Sequence, residues 1–199
     1  VGAAVTFADL KNHTRLTIRL HALQDAARSV GAGAIQNAAT WGGNLIQAMP
    51  AADGAIIALA LEGEIQLWDQ NGDRWLPVED LFLGPGRSAV DPTSQLISAI
   101  RFPVHTRKGR WGTAWRRVGR RSALILPIMN CAVKLHLQGK GSEASISHAR
   151  LALGPAGPVP FRARQAEDLT LAEASSCEDS EAAGSLVRHE AQPRSSVMR

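Results

Sequence analysis

Cysteine is scarce in this chain of 199 residues, which holds two, Cys131 and Cys177, and no Cys-x-x-Cys pair. Neither a zinc site nor an iron–sulfur site is supported, and a reducing cytoplasm is the expected compartment. Cys131 lies in an apolar run and reads as a small buried hydrophobe; Cys177 lies in a polar tail and reads as an accessible free thiol. Long hydrophobic runs are also missing, so neither a membrane span nor a secretory signal is expected. Large net charge is absent: 22 basic and 18 acidic residues leave +4, far from a dedicated nucleic-acid binder. No Ser/His/Asp or Cys/His arrangement suggests a nucleophile. His13 and His21 have no second ligand at metal spacing and read as surface residues.

What is present fits one large or two small globular domains, with 45% hydrophobic and 20% charged residues. The chain is organised around Ile35 to Asp53, whose centre is Thr40-Trp41-Gly42-Gly43-Asn44. Two adjacent glycines reach positive φ cheaply, and a turn of that kind lets backbone N–H groups converge on an anion. Thr40 and Asn44 could bond phosphate oxygens or ribose hydroxyls. A plain Gly-Gly turn explains the same residues. Asp53 has two compatible roles: a carboxylate favoured at a helix start, or an acceptor for a sugar hydroxyl.

In chain order, Thr6 and Asp9 suggest a capped helix start. Leu20 to Val30 has helical period, with Leu23, Ala26, Ala27 and Val30 on one stripe, stopped by Gly31 and Gly33. Ala51 to Leu61 reads as a buried helix. Glu64 to Val78, with Asn71-Gly72 inside it, reads as a hairpin, in which Trp68 and Trp75 pack rather than stack on a ligand. Val78 to Phe82 reads as a short helical turn, Leu83 to Arg87 as a loop, and Leu96 to Phe102 as a strand ended by Pro103. Asn130 to Leu137 and Ser145 to Leu153 alternate as antiparallel strands joined by a turn at Gly139-Lys140-Gly141. Phe161 to Leu171 reads as a helix, and Ala172 to Arg199 as a partly irregular tail.

Between Arg101 and Arg121 basic residues crowd around Trp111 and Trp115, including Arg107, Lys108, Arg110, Arg116, Arg117 and Arg120. Three readings stand. The stretch is a polyanion-binding patch with stacking tryptophans, a solvated loop before an edge strand, or a source of positive charge beside a cofactor.

The longer string Thr-x-Gly-Gly-Asn, followed by Pro50-Ala51-Ala52-Asp53, resembles the FAD-binding medium subunit or domain of the molybdenum hydroxylases, a family that includes carbon monoxide dehydrogenase and xanthine dehydrogenase. The resemblance continues in order through Asp80 to Arg87, Leu96 to Pro103, Arg116 to Arg121, Ala149 to Gly154 and Pro158 to Ala163. It implies an α+β fold: residues 1–103 as the second subdomain of a PCMH-type (vanillyl-alcohol-oxidase-like) FAD-binding domain, and residues 104–199 as an antiparallel sheet-plus-helix C-terminal domain. It further implies FAD as cofactor, with Thr40, Gly42, Gly43 and Asn44 at the pyrophosphate, Asp53 at the ribose or ribityl part, Val90 against the isoalloxazine ring, and Arg116 or Arg117 near it. Positive charge there would stabilise reduced flavin. No residue of the chain is implied to be catalytic. The implied role is electron transfer, from a two-iron, two-sulfur small subunit beside a molybdenum-cofactor large subunit to NAD or another acceptor. The alternative is a non-enzymatic α+β module that binds an acidic partner through Arg107 to Arg121.

The sequence departs from the family pattern at several points. Met49 stands where Ser is usual, Trp41 where a small aliphatic residue is usual, Gln36 where Arg is common, and Arg where Lys is usual at Arg116 or Arg117. The family's first FAD subdomain, with its Ala-Gly-Gly-Thr-Asp-like loop, would lie before Val1, so a truncated form is expected.

Overall fold

The computed structural model describes residues 1–14, 16, 20–103, 109–121, 126–139, 144–173 and 177–193, with backbone alone for 172, 173 and 177–180. Several expectations lie outside these residues: Arg107 and Lys108 of the basic run, Ala123 to Ile125, the Lys140-Gly141 turn, the Cys177 thiol and the chain after Pro193.

Two antiparallel sheets flank a central helix. Helix α1 (Phe7–Asn12) starts at a capping box in which the Thr6 hydroxyl and the Asp9 side chain each take the other's backbone N–H. Helix α2 (His21–Ser29) buries the expected stripe of Leu23, Ala26, Ala27 and Val30 and ends at Gly31, with φ +49°. Thr113 Oγ1, from the second sheet, accepts from the free Ala22 N–H at 3.3 Å. Helices α3 (Gly33–Ala38), α4 (Trp41–Ile46) and α5 (Asp53–Ala60) follow. The first sheet has the order β2-β1-β5, from β1 (Glu64–Asp69), β2 (Gly72–Pro77) and β5 (Leu96–Arg101). Its hairpin turns at Gln70-Asn71, and Gly72 supplies the positive φ of +114°. A 3-10 turn (Val78–Leu81) leads into the small hairpin of β3 (Phe82–Gly84) and β4 (Arg87–Ser88).

The second sheet has the order β6-β7-β8-β9: β6 (Arg110–Val118), β7 (Met129–Gln138), β8 (Ser145–Gly154) and β9 (Phe161–Arg162). Its outer face packs Cys131, Leu151 and Leu153 against α6 (Arg164–Glu173) and α7 (Cys177–Glu190), which bring Ala166, Leu186 and Val187. Its inner face meets α5.

Every residue of α5 is buried, as expected of a helix that is apolar all round. Alternation on the strands places cross-strand rows on the inner face. These rows are Arg117–Asn130–Gly154, Trp115–Ala132–Ala152, Thr113–Lys134–Arg150 and Trp111–His136–His148. Ala132 and Ala152 are small enough for the middle of α5 to approach closely. From Asp53 to Ala60 the helix rises about 10 Å, with Glu62 just beyond its end; the first and third rows are about 13 Å apart along the strands. The helix therefore carries an acidic group to polar side chains at each end: Asp53 to the first row, Glu62 to the third and fourth.

The structure corrects four expectations. The segment Leu83 to Arg87, expected as a loop, is a small hairpin in which Phe82 pairs with Ser88 and Gly84 with Arg87. The Gly42-Gly43 pair is not a positive-φ turn but part of the first turn of α4. Gly42 is needed for close packing: a Cβ there would lie 2.7 Å from Ala3 Cβ and 2.9 Å from Ala3 O. The expected helix from Phe161 starts at Arg164, because Phe161 and Arg162 pair with Leu153 and Ala152 instead. The tail contains α7, whose apolar side chains cover the outer face of the second sheet. That helix is set by tertiary burial more than by local pattern.

Candidate functional site

A cleft of about 690 Å³ opens where the α3–α4–α5 segment meets the β6–β7 end of the second sheet. That volume is typical of a small-molecule or cofactor site. Thr40, Gly43 and Asn44 line it from α4 and its cap, Met49 to Asp53 from the following loop and the start of α5, Arg117 from β6, and Leu126 and Pro127 from the segment that leads into β7.

Local physics explains the shape. Thr40 caps α4, its Oγ1 accepting from Gly43 N–H at 3.1 Å. A Cβ on Gly43 would come within 2.9 Å of that oxygen, so this wall of the cleft is bare backbone. After α4 the chain reverses at Ala48, a non-glycine residue at φ +48°. That places Met49 and Pro50 in the cleft wall. Gly154 then lets the second sheet close on this loop: a Cβ there would lie 2.2 Å from Pro50 O and 2.4 Å from Ile56 Cδ1.

Asp53 is buried at the first position of α5. Asn130 Nδ2 donates to Asp53 Oδ1 at 2.8 Å, and Arg117 Nε lies 3.5 Å from the same oxygen. Burial is the largest influence on the Asp53 carboxyl. It pushes the pKa up to about 6 against the opposing effects of Asn130 and Arg117.

Thr40, Gly43, Asn44, Asp53 and Arg117 therefore come together. Gly42 faces Ala3 instead, with its N–H donating to Ala3 O at 3.0 Å. Val90 is buried in the core and its N–H donates to Ser88 Oγ. Arg116 is exposed and lines a neighbouring cleft with Asp25, Ser29, Trp115 and Arg121, a cleft that Arg117 also borders. Trp111 and Trp115 are buried, so they present no face for stacking nucleobases. Two departures also find structural explanations. Gln36 is buried, its amide donating to Arg28 O and Val30 O at the end of α2. Trp41 stacks on Phe102 at 5.1 Å and donates to Gly54 O.

Asn130 was not singled out from sequence. Its signal was a polar residue opening an apolar strand. Glu62, Lys134, His148 and Arg150, which join α5 to the second sheet, were equally hidden.

Residues 1–105 match the family model described as the FAD binding domain in molybdopterin dehydrogenase, and residues 114–199 that of the CO dehydrogenase flavoprotein C-terminal domain. The chain belongs to the medium, FAD-binding subunits of the molybdenum hydroxylases. It is 29% identical over 196 residues to a xanthine dehydrogenase FAD-binding subunit of Escherichia coli O157:H7, covering 98% of this chain and 65% of that protein. It is 26% identical over 162 residues to the carbon monoxide dehydrogenase medium chain of Hydrogenophaga pseudoflava, covering 81% of this chain and 54% of that one. Its fold matches a solved carbon monoxide dehydrogenase from H. pseudoflava, one lacking the Mo-pyranopterin moiety of its cofactor. There the TM-score is 0.88 at 26% identity, covering 99% of this chain and 66% of the other. The chain thus spans 65% of the length of the first of these relatives.

FAD is the family's cofactor, and the residues present suit it. The cleft has a bare backbone wall at Gly43, hydroxyl and amide groups at Thr40 and Asn44, a carboxylate for sugar hydroxyls at Asp53, and a cation at Arg117.

Proposed function

We propose that this chain holds FAD in the cleft between α4, α5 and the second sheet, and serves as the electron-transfer subunit of a molybdenum hydroxylase-type oxidoreductase. The observation that carries the reading is the convergence of Thr40, Gly43, Asn44, Asp53 and Arg117 on one cleft, in a chain of this family. Residues 1–103 are read as the FAD subdomain and 104–199 as the C-terminal domain, with both contributing to the cleft. The partners of this reading are a molybdenum-cofactor large subunit and an iron–sulfur small subunit. The electron acceptor is NAD or another acceptor, and the compartment is the cytoplasm. No helix among the described residues is long and apolar enough to cross a membrane.

When bound, FAD would supply the redox chemistry; the chain would position it and tune the local field. Asp53 accepts from ribose or ribityl hydroxyls, because a carboxylate would repel the pyrophosphate. The Thr40 hydroxyl accepts the Gly43 N–H and keeps its own proton to donate to a phosphate oxygen. Arg117 offsets the negative charge that builds on the cofactor, and Arg116 adds positive potential from the neighbouring cleft. Exposed Met49, Ile35 and Leu126 supply apolar wall against the rings.

Titrating FAD into the purified protein and following the visible flavin absorbance tests this reading. The expected result is a saturable shift whose Kd rises about tenfold or more in Asp53→Ala, and less in Thr40→Ala and Asn44→Ala. A spectrum identical to free FAD, or equal Kd values for the wild type and all three variants, overturns it.

A further inference from the structure

Both contacts to the Asp53 carboxylate fall on Oδ1: the Asn130 amide at 2.8 Å and Arg117 Nε at 3.5 Å. Oδ2 receives no hydrogen bond among the described residues, and Asp53 borders the cleft. Asn130 is fully buried, and its own Oδ1 has no partner. A buried, unsatisfied amide oxygen costs stability and calls for an explanation. The amide cannot turn to relieve it, since only Nδ2 can donate to a carboxylate. Asn130 is therefore held in an arrangement that serves Asp53 at the expense of its own oxygen. Its place is set by the row Arg117–Asn130–Gly154, in which glycine makes room for the Pro50 loop.

We propose that Asn130 is a positioning residue for ligand binding. By bonding Oδ1 of Asp53 it fixes the carboxylate plane, keeps it ionised, and leaves Oδ2 as the acceptor for a cofactor hydroxyl. This rests on the reading of the cleft as the FAD site. It assigns the second sheet a share in cofactor recognition that no cleft-lining residue of β7 would reveal, because Asn130 stands behind Asp53. The other charged groups near α5 are engaged elsewhere. Lys134, His148 and Arg150 converge on Glu62 at its far end, Asp25 of α2 pairs with His21 and Arg28, and Arg162 of β9 pairs with Glu167 and Glu79. Arg117 is the charged side chain recorded against Asp53.

The test is the near-isosteric Asn130→Leu, measured two ways. The first is FAD affinity across pH. Wild-type affinity should weaken as pH falls through the Asp53 pKa of about 6, because a protonated carboxyl accepts poorly. Asn130→Leu should move that midpoint up by about one pH unit, which raises Kd about twofold at about pH 7 and nearly tenfold by about pH 5, with wild-type affinity recovered at higher pH. Asp53→Asn should remove the pH dependence. The second measurement needs no cofactor: the Asp53 carboxyl resonance, titrated by NMR, should shift its midpoint upward by the same amount in Asn130→Leu. A variant that folds, weakens FAD equally at every pH and leaves the Asp53 titration unmoved has lost packing only, and overturns the inference. If wild type binds no FAD while the NMR midpoint moves as expected, the positioning of Asp53 stands and the FAD reading fails. An unmoved NMR midpoint overturns the positioning whatever FAD does.

Discussion

The Lys134 ammonium donates to Glu62 Oε2 at 2.8 Å, across the junction between the end of α5 and the inner face of the second sheet. His148 Nε2 lies 3.0 Å from the same oxygen, and Arg150 bonds Oε1 at 3.0 Å. Glu62 stands just beyond the helix at φ +59°, a left-handed conformation that costs a non-glycine residue about 1 kcal/mol. Burial works against its charge, but the hydrogen bond and charge of Lys134, with Arg150 and His148, hold its pKa down at about 2. Lys134 is itself below its ordinary value, because burial, with the charge of Arg150, outweighs Glu62.

Glu62→Gln should therefore destabilise the fold. It removes the carboxylate charge that the Lys134 ammonium, 5% exposed, bonds across the junction. Breaking a buried pair from one side costs about 3–5 kcal/mol; with the Glu62 side chain 23% exposed, the lower end is expected, and denaturant unfolding reads the loss. Glu62→Gly relieves the backbone strain but loses the same carboxylate, so it should remain less stable than wild type. The pH effect has a definite sign. A folded pKa near 2 against 4.5 for the free group gives stability that is present above pH 4.5 and lost as pH falls toward 2.

Asp53, at the other end of α5, has the opposite dependence. Its folded pKa of about 6 exceeds 3.8 in the free group. Between those values the folded chain holds a proton that the unfolded chain has lost, so stability falls as pH rises and levels off above 6. Two pKa units correspond to about 3 kcal/mol. The stability difference between wild type and Asp53→Asn, followed by urea unfolding from pH 4 to pH 7, should change by 2–3 kcal/mol, on the order set by that shift. An equal difference at both ends would mean that Asp53 ionises normally.

Local signals carried much of this fold. The Thr6–Asp9 box, the Leu23–Val30 stripe, the hairpin around Gly72 and the α5 helix are each fixed by neighbours in sequence, and so were legible. At the site, Thr40, Gly43, Asn44 and Asp53 lie in one short stretch, and a family resemblance could point to them together. The residues that were missed act across long separations. Asn130 meets Asp53, and Lys134 meets Glu62, only because α5 lies along the inner face of the second sheet. Periodicity says that β7 alternates; it does not say that both faces are covered. Helix α7 was missed for the same reason, since the face it covers is assembled from β7, β8 and β9. The glycine pair misled because glycine suits both positive φ and close approach, and the nearby Ala3 that decides between them is far away in sequence.

Gly154→Ala should damage the junction more than an ordinary strand substitution. The added methyl would meet Pro50 O at 2.2 Å and Ile56 Cδ1 at 2.4 Å. The carbonyl belongs to the Met49–Asp53 wall of the cleft, so relief requires that wall to move. Overpacking of this kind costs about 1–3 kcal/mol. The expected outcome is a lower unfolding midpoint together with weaker FAD binding, read on the same sample. Loss of stability with unchanged affinity would place the adjustment on the Ile56 side of the contact.

Gly42→Ala and Gly43→Ala separate structure from ligand contact within a single dipeptide. At Gly42 the methyl would strike Ala3 Cβ and Ala3 O, at 2.7 and 2.9 Å, away from the cleft. Thermal unfolding should show a loss of about 1–3 kcal/mol, with FAD affinity preserved in the molecules that remain folded. At Gly43 the methyl would come within 2.9 Å of Thr40 Oγ1 and enter the cleft wall. The capping hydroxyl can give way, at a cost of about 1 kcal/mol, but the bare wall is lost, so Kd should rise more than stability falls. The two variants thus differ in which property each moves more. If Gly42→Ala weakened FAD as much as Gly43→Ala at equal folded fraction, the cofactor would have to contact α4 from the Ala3 side, and the assignment of the cleft would be wrong.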